Sequence, residues 1–332
     1  MAAGALDLPP VRGAISLVAG WDRGRRDRLA ILTYHRVDEP ADDLFPGLIS
    51  ATPEMFDRQV AWLADAYQPV SLAEVLARRD GGPALPRRAV LITFDDAYRS
   101  FGDHAWPILL AHGVPAALFV PTAYPDRPDR SFWWDRLYRA LIHSRATGSL
   151  ETPLGTVILA RPDDRRRSFR ALRTAVKGLP HEQAMAAVDE TVEMLGGAPD
   201  RPTGSGPTVL GWTELRALQA AGVEIGVHTR THPLLDRLPA ADLDGEIDGA
   251  RVDLDRELDA SAPAIAYPNG NHAPPVLAAV ERAGLRLGFS TRRGTNDLRR
   301  PEWLTLRRIN VSMSADRAAL TPQLHGWLDR WS

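Results

Sequence analysis

The chain has 332 residues, 44% of them apolar and 25% charged, with a formal net charge of −2. That is enough chain for a large buried core, an ordinary soluble composition, and no charge excess of the kind that binds nucleic acid. Cysteine is absent, which excludes thiolate metal sites, and no run approaches the roughly 18 apolar residues of a membrane-spanning helix.

Residues 1–27 read as an N-terminal extension. Its apolar stretch Ala14–Gly20 is short and follows Pro9-Pro10, unlike a secretory leader, so a cytoplasmic location is expected. A single domain is expected over 28–322. Strands are predicted at Ala30–Tyr34, Val70–Leu72, Ala89–Phe94, Ala116–Val120, Val223–Val227, Ala264–Tyr267, Arg286–Ser290 and Thr305–Val311. Helices are predicted at Pro53–Ala66, Leu72–Arg79, Tyr98–His112, Trp212–Ala221, Pro239–Leu258 and Pro274–Ala283. This alternation describes βαβ units and a parallel sheet, hence an α/β fold. Thr52 before Pro53-Glu54 reads as a helix cap, and Ser71 with Glu74 has capping-box spacing.

The rhythm breaks at about 123–209, where no strand alternation is evident. Helical patterns there, beginning at Ser131, near Arg166–Lys177 and at His181–Leu195, describe a mostly helical insertion, closed by a Pro/Gly/Ser-rich stretch at 198–207. The pair Trp133-Trp134 could stack on a sugar ring, although packing is the commoner use of such aromatics. Lys177 is the only lysine among 40 basic residues. Arg165, Arg166, Arg167, Arg170 and Arg173 read as a solvated helix face that could also contact an anionic substrate.

The chemistry concentrates where apolar strands end. Ala89–Phe94 runs straight into Asp95-Asp96, and an unpaired buried carboxylate is costly. The strand ending at Val227 runs into His228, with His232 four residues on. One carboxylate and two imidazoles suit a divalent metal with an open position for water, and a second carboxylate beside them suits a general base. Taken singly, Asp95-Asp96 could be a helix cap with a solvent-exposed neighbour, and either His a packed residue. The turn Tyr267-Pro268-Asn269-Gly270 could offer a backbone N–H to an oxyanion.

These segments together resemble the polysaccharide deacetylases, carbohydrate esterase family four or the NodB-homology family. Thr93-Phe94-Asp95-Asp96 looks like its first motif, His228 to His232 its second and Tyr267-Pro268-Asn269-Gly270 its third. The opening Leu32 to Val37 and the closing Leu306-Arg307-Arg308-Ile309 look like the branch with biofilm and exopolysaccharide deacetylases. The resemblance covers about 30–122 and 208–311. It implies a distorted (β/α)7 barrel and metal-dependent removal of acetyl groups from an N-acetylated carbohydrate. It assigns Asp95 as base, Asp96, His228 and His232 as metal ligands, and the Tyr267 backbone as oxyanion donor. Zinc suits this donor set best, and cobalt, nickel or manganese could also occupy it.

Three departures stand out. Ala97 occupies a position where many members have Gly, tolerable if the backbone there avoids positive φ. Ala266 stands where many members carry an Arg that holds the base. No late Leu-x-His supplies the general acid; Asn310 lies near its place, which leaves His35 and His272 as candidates. A non-sugar amide substrate, or a carbohydrate-binding homologue without catalysis, are the alternative readings.

Overall fold

A computed structural model of the chain describes residues 27–41, 44–127, 130–197, 208–258, 263–327 and 329. The expected N-terminal extension, up to residue 26, and the stretch 198–207 lie outside the described residues.

Six parallel strands stand side by side in the order Leu287–Phe289, Ala264–Ala266, Glu224–Val227, Ala116–Val120, Ala89–Phe94 and Arg28–Tyr34. Ile309–Asn310 adds a seventh, parallel to Arg28–Tyr34. Just upstream, Leu306 bridges to Phe289 on the far edge, with Leu306 N–H donating to Gly288 O at 2.8 Å and Ser290 N–H to Leu306 O at 2.9 Å. The last segment therefore pairs first with one edge and then with the other, which closes the ring. This switch shortens the expected strand Thr305–Val311 to Ile309–Asn310. The architecture is the expected α/β barrel of seven strands.

Buried parallel strands read as continuous apolar runs, and their side chains alternate between faces. Leu29, Ile31, Leu91, Ala117, Phe119, Ala264, Ala266, Leu287, Phe289 and Leu306 form one cluster, the barrel interior. Their neighbours Ala30, Leu32, Val90, Ile92, Leu118, Ile225 and Ile265 pack outward into the larger cluster beneath the helices. Gly226 takes an inward position because a Cβ there would lie 2.6 Å from a ring carbon of Phe119. Continued past the strand ends, the inward register reaches His35, Asp95, His228, Arg308 and Asn310. The alternation that fills the core thus aims the polar residues at the rim where the strands' C-terminal ends meet.

The helices Pro53–Ala66 and Leu72–Arg79 form as predicted, with Thr52 Oγ1 capping Met55 N–H and both bonds of the Ser71–Glu74 box present. That cap starts a helix at Leu72, so the strand expected at Val70–Leu72 is only Gln68–Pro69. The single helix expected over Tyr98–His112 is a wide turn, Phe101–Ala105, followed by Trp106–Ala111. Pro107 lacks an N–H and its ring would crowd the preceding turn, which accounts for the irregularity. Between Ala116–Val120 and Glu224–Val227 lie the helices Trp133–His143, Pro162–Gly178 and His181–Met194, with an antiparallel hairpin, Ser149–Thr152 and Gly155–Ile158, that the pattern did not reveal. Among the described residues no helix is long and apolar enough to cross a membrane.

Candidate active site

The rim carries a cleft of about 180 Å³ lined from the barrel by His35, Asp95, Asp96, His228, His232 and Asn310. The insertion closes its other side with Trp133, Trp134, Arg173 and Lys177. The cleft thus brings together the two expected carboxylates, both metal-site histidines and one candidate acid.

Asp96, His228 and His232 each present one donor atom, all within 4.8 Å of one another. His228 Nε2 and His232 Nε2 approach Asp96 Oδ1 at 3.3 and 3.2 Å. Neither approach has hydrogen-bond geometry, and Asp96 Oδ1 is buried without a hydrogen-bond partner. Three donors converging without satisfying each other fit a divalent cation as their common partner. His228 Nδ1–H donates to Ala266 O at 2.7 Å, which leaves the Nε2 lone pair facing Asp96. The His232 ring is held instead by aromatic packing, 4.7 Å from Trp134 and 5.7 Å from Phe132. Burial opposes ionisation of Asp96, but the two histidines outweigh it and keep its carboxyl far below the usual range. Burial also pushes His232 below the ordinary imidazole range.

The loop that carries the histidines is tightly held. Thr229 and His232 have φ of 64° and 62°, and Asp96 and Ala97 have 72° and 49°. Such values in non-glycine residues persist only where surroundings enforce them, and they gather at functional sites. Glu246 provides part of that enforcement: its carboxylate accepts from Arg230 N–H at 3.0 Å, Thr231 N–H at 2.9 Å and Thr231 Oγ1–H at 2.6 Å. Ala97 therefore does sit at positive φ, contrary to the condition on which its replacement of glycine is tolerable, and its carbonyl is tied to Leu210 N–H at 3.0 Å.

Asp95 has a partner that the sequence motifs do not reveal. Arg308 grips it in a fork, Nη1 to Oδ1 at 2.8 Å and Nη2 to Oδ2 at 2.7 Å, while its Nε–H donates to Ser290 O at 2.9 Å. Ala266 had marked an arginine as missing; here the charge arrives from the closing strand. The signal was available in the register, because Leu306, Arg308 and Asn310 alternate inward whereas Arg307 does not. Burial would raise the Asp95 pKa, but Arg308 and then His228 outweigh it and hold the carboxyl below its usual range. His228 is raised, burial being outweighed by Asp95 and Asp96.

The two acid candidates separate. His35 lines the cleft, its backbone N–H anchored on Ser50 Oγ at 3.0 Å. Burial lowers its pKa against the pull of Asp96 and Asp95, so it is mostly neutral near pH 7. His272 does not line the cleft; its ring lies 5.5 Å from that of Tyr267, and Nδ1 contacts Gly270 O at 3.0 Å. The expected oxyanion donor needs correction as well. Tyr267 N–H is spent in the sheet, donating to Phe289 O at 3.0 Å, and its hydroxyl donates to Leu304 O at 2.8 Å. The third motif instead places Asn269, at φ 56°, on the cleft wall beside Thr291.

A polysaccharide deacetylase family model matches residues 174–288. A poly-beta-1,6-N-acetyl-D-glucosamine N-deacetylase of Escherichia coli is 39% identical over 99 residues, which cover 29% of this chain and 14% of that protein. One of the same name from Staphylococcus epidermidis is 33% identical over 103 residues, covering 27% of this chain and 35% of that protein. The matched segments therefore span well under half of either relative. A Streptococcus pyogenes deacetylase solved with acetate shares the fold, at TM-score 0.59 and 19% identity over 90% of this chain and 99% of that one. With the Asp-Asp, His-to-His and Tyr-Pro-x-Gly motifs gathered on the rim of this barrel, the chain is similar to the polysaccharide deacetylases in its matched segment and shares their fold.

Proposed function

We propose that the protein hydrolyses the acetamido group of an N-acetylated sugar, free or within a glycan, releasing acetate and leaving an amine. The observation that carries this reading is Asp95, kept ionised by Arg308 beside the three donors of Asp96, His228 and His232. Those three residues would hold a divalent cation, zinc being the best match, which when bound supplies Lewis acidity and a water of lowered pKa.

The remaining work falls to the chain's own groups. Asp95 accepts the proton of the attacking water, and the Arg308 fork fixes the orientation in which it does so. The same proton then goes to the departing nitrogen. His35 faces the same cleft and, being neutral, can relay it by accepting at one ring nitrogen and donating from the other. His272 lies outside the cleft, which favours His35 in this role. Trp133, half-buried on the cleft wall, offers an aromatic face to the sugar, and buried Trp134, stacked on Phe132, excludes water. The relatives named above are poly-beta-1,6-N-acetyl-D-glucosamine N-deacetylases, which makes oligomers of that polymer the first substrate to try.

The test is acetate release from such oligomers by protein stripped with chelator and reloaded with zinc or cobalt. Release restored by metal is the expected result. Protein with bound metal that releases no acetate from any N-acetylated sugar would overturn the reading.

A further inference from the structure

The insertion brings two cations to the cleft that hydrolysis of a neutral sugar does not use. Arg173 and Lys177 are four residues apart on the helix Pro162–Gly178, hence on one face, and both line the cleft that holds Asp95 and Asp96. Of the other arginines of this helix, Arg166 is paired with Asp163, Arg167 with Asp164 and Arg165 with the carbonyls of Leu141 and Ser144, while Arg170 is exposed away from the cleft lining. Among the described residues, Arg173 and Lys177 have no carboxylate partner. Lys177 Nζ donates to the side-chain oxygen of Asn269. Arg173 lies over the Phe45 ring, 4.6 Å from its centroid, with Nε buried and without a hydrogen-bond partner.

Like charges one helical turn apart repel, and partial burial adds a desolvation cost. Burial, with Arg173 beside it, pushes Lys177 down to about 8. The sole lysine of the chain is thus placed where it is least comfortable, at the substrate cleft. An anionic ligand would relieve both the repulsion and the unpaired guanidinium N–H.

We propose that Arg173 and Lys177 form an oxyanion subsite, and that the preferred substrate is an N-acetylated sugar carrying a phosphate near its acetamido group. This rests on the deacetylase reading and refines it. A phosphomonoester dianion balances both charges, whereas a sugar carboxylate would balance one. The guanidinium offers a directional fork and the ammonium a point charge, the usual division in phosphate binding. The phosphate could sit on the anomeric oxygen, as in a sugar 1-phosphate, or on a ring hydroxyl.

The experiment measures kcat and KM for acetate release by the metal-reloaded chain on N-acetylglucosamine 1-phosphate, its 6-phosphate and a neutral N-acetylglucosamine oligomer, with calorimetric binding of each. One phosphorylated sugar is expected to exceed the neutral one in kcat/KM by about ten- to a hundred-fold, as charge-assisted hydrogen bonds allow. Lys177→Gln should cut that preference about tenfold through KM, and Lys177→Arg should restore most of it. Preference for the 1-phosphate assigns an anomeric phosphate, and preference for the 6-phosphate a ring ester. Acetate release with no phosphate preference, or a preference that Lys177→Gln leaves intact, overturns the subsite alone. Phosphate-dependent binding that Lys177→Gln abolishes, without acetate release, overturns deacetylation alone. Neither binding nor release overturns both.

Discussion

Arg308 and Asp95 meet through both oxygens of the carboxylate, at 2.8 and 2.7 Å, with the guanidinium fully buried and the carboxylate 4% exposed. Deleting one partner of such a pair strands the other's charge in a dry interior. Arg308→Met should therefore cost about 3–5 kcal/mol of stability as well as turnover. Arg308→Lys should not recover the turnover, since a point charge cannot reproduce the fork. Thermal unfolding and acetate release on the two variants check this; wild-type turnover in Arg308→Lys would show that the fork is dispensable.

A second buried pair ties the insertion to the barrel. Arg36 donates to Asp135 Oδ2 at 3.0 Å, Tyr98 OH donates to the same oxygen at 3.3 Å, and Trp134 Nε1–H donates to Tyr98 OH at 2.9 Å. Trp134 in turn packs on His232. Asp135→Ala should lower the melting temperature by about 5–10 °C, from a loss of about 3–5 kcal/mol. It should also weaken metal retention about tenfold, as loss of an outer support commonly does. Calorimetry and metal titration read the two effects separately.

Gly270 is held at φ +76° with no room for a side chain: a Cβ would lie 2.2 Å from Thr291 Oγ1 and 2.3 Å from Thr291 N. Gly270→Ala should destabilise by more than about 1 kcal/mol and displace Asn269 and Thr291 on the cleft wall. The expected outcome is a lower unfolding midpoint together with a raised KM.

The Lys177 ammonium, at about 8, titrates within reach of ordinary assays. It is charged below that value and neutral above it, so any advantage of a phosphorylated sugar should fade as pH rises through about 8. A bound phosphate favours the charged form and moves the loss to higher pH in the complex. The pH profile of KM for the phosphorylated sugar checks this, and Lys177→Arg, which stays charged, should flatten it.

Much of the barrel was readable because buried parallel strands are apolar throughout: Ala89–Phe94 and Ala116–Val120 fall where the composition placed them. Asp95-Asp96 and His228 were conspicuous for the same reason, as polar residues ending such runs. Arg308 was not, since two adjacent arginines look alike until strand register shows which one points inward. The hairpin at Ser149–Thr152 and Gly155–Ile158 is short, polar and mostly exposed. Part of what holds it is tertiary: Ser168 on the following helix bonds both the N–H and the carbonyl of Ile158, at 2.9 and 3.2 Å. Local pattern carries no trace of that. The motif alone points to Tyr267 as a donor, while its N–H belongs to the ladder with Phe289.

The most direct test of the account is Asp95→Asn, assayed for bound metal and for acetate release on one preparation. The amide is nearly isosteric with the carboxylate and leaves Asp96, His228 and His232 in place, so metal content near that of the wild type is expected, although stranding the buried Arg308 charge should lower the unfolding midpoint. Acetate release should fall by about 10²–10⁴-fold, the usual worth of a general base. Acetate release at the wild-type rate with metal bound would contradict the assignment of Asp95 as the base.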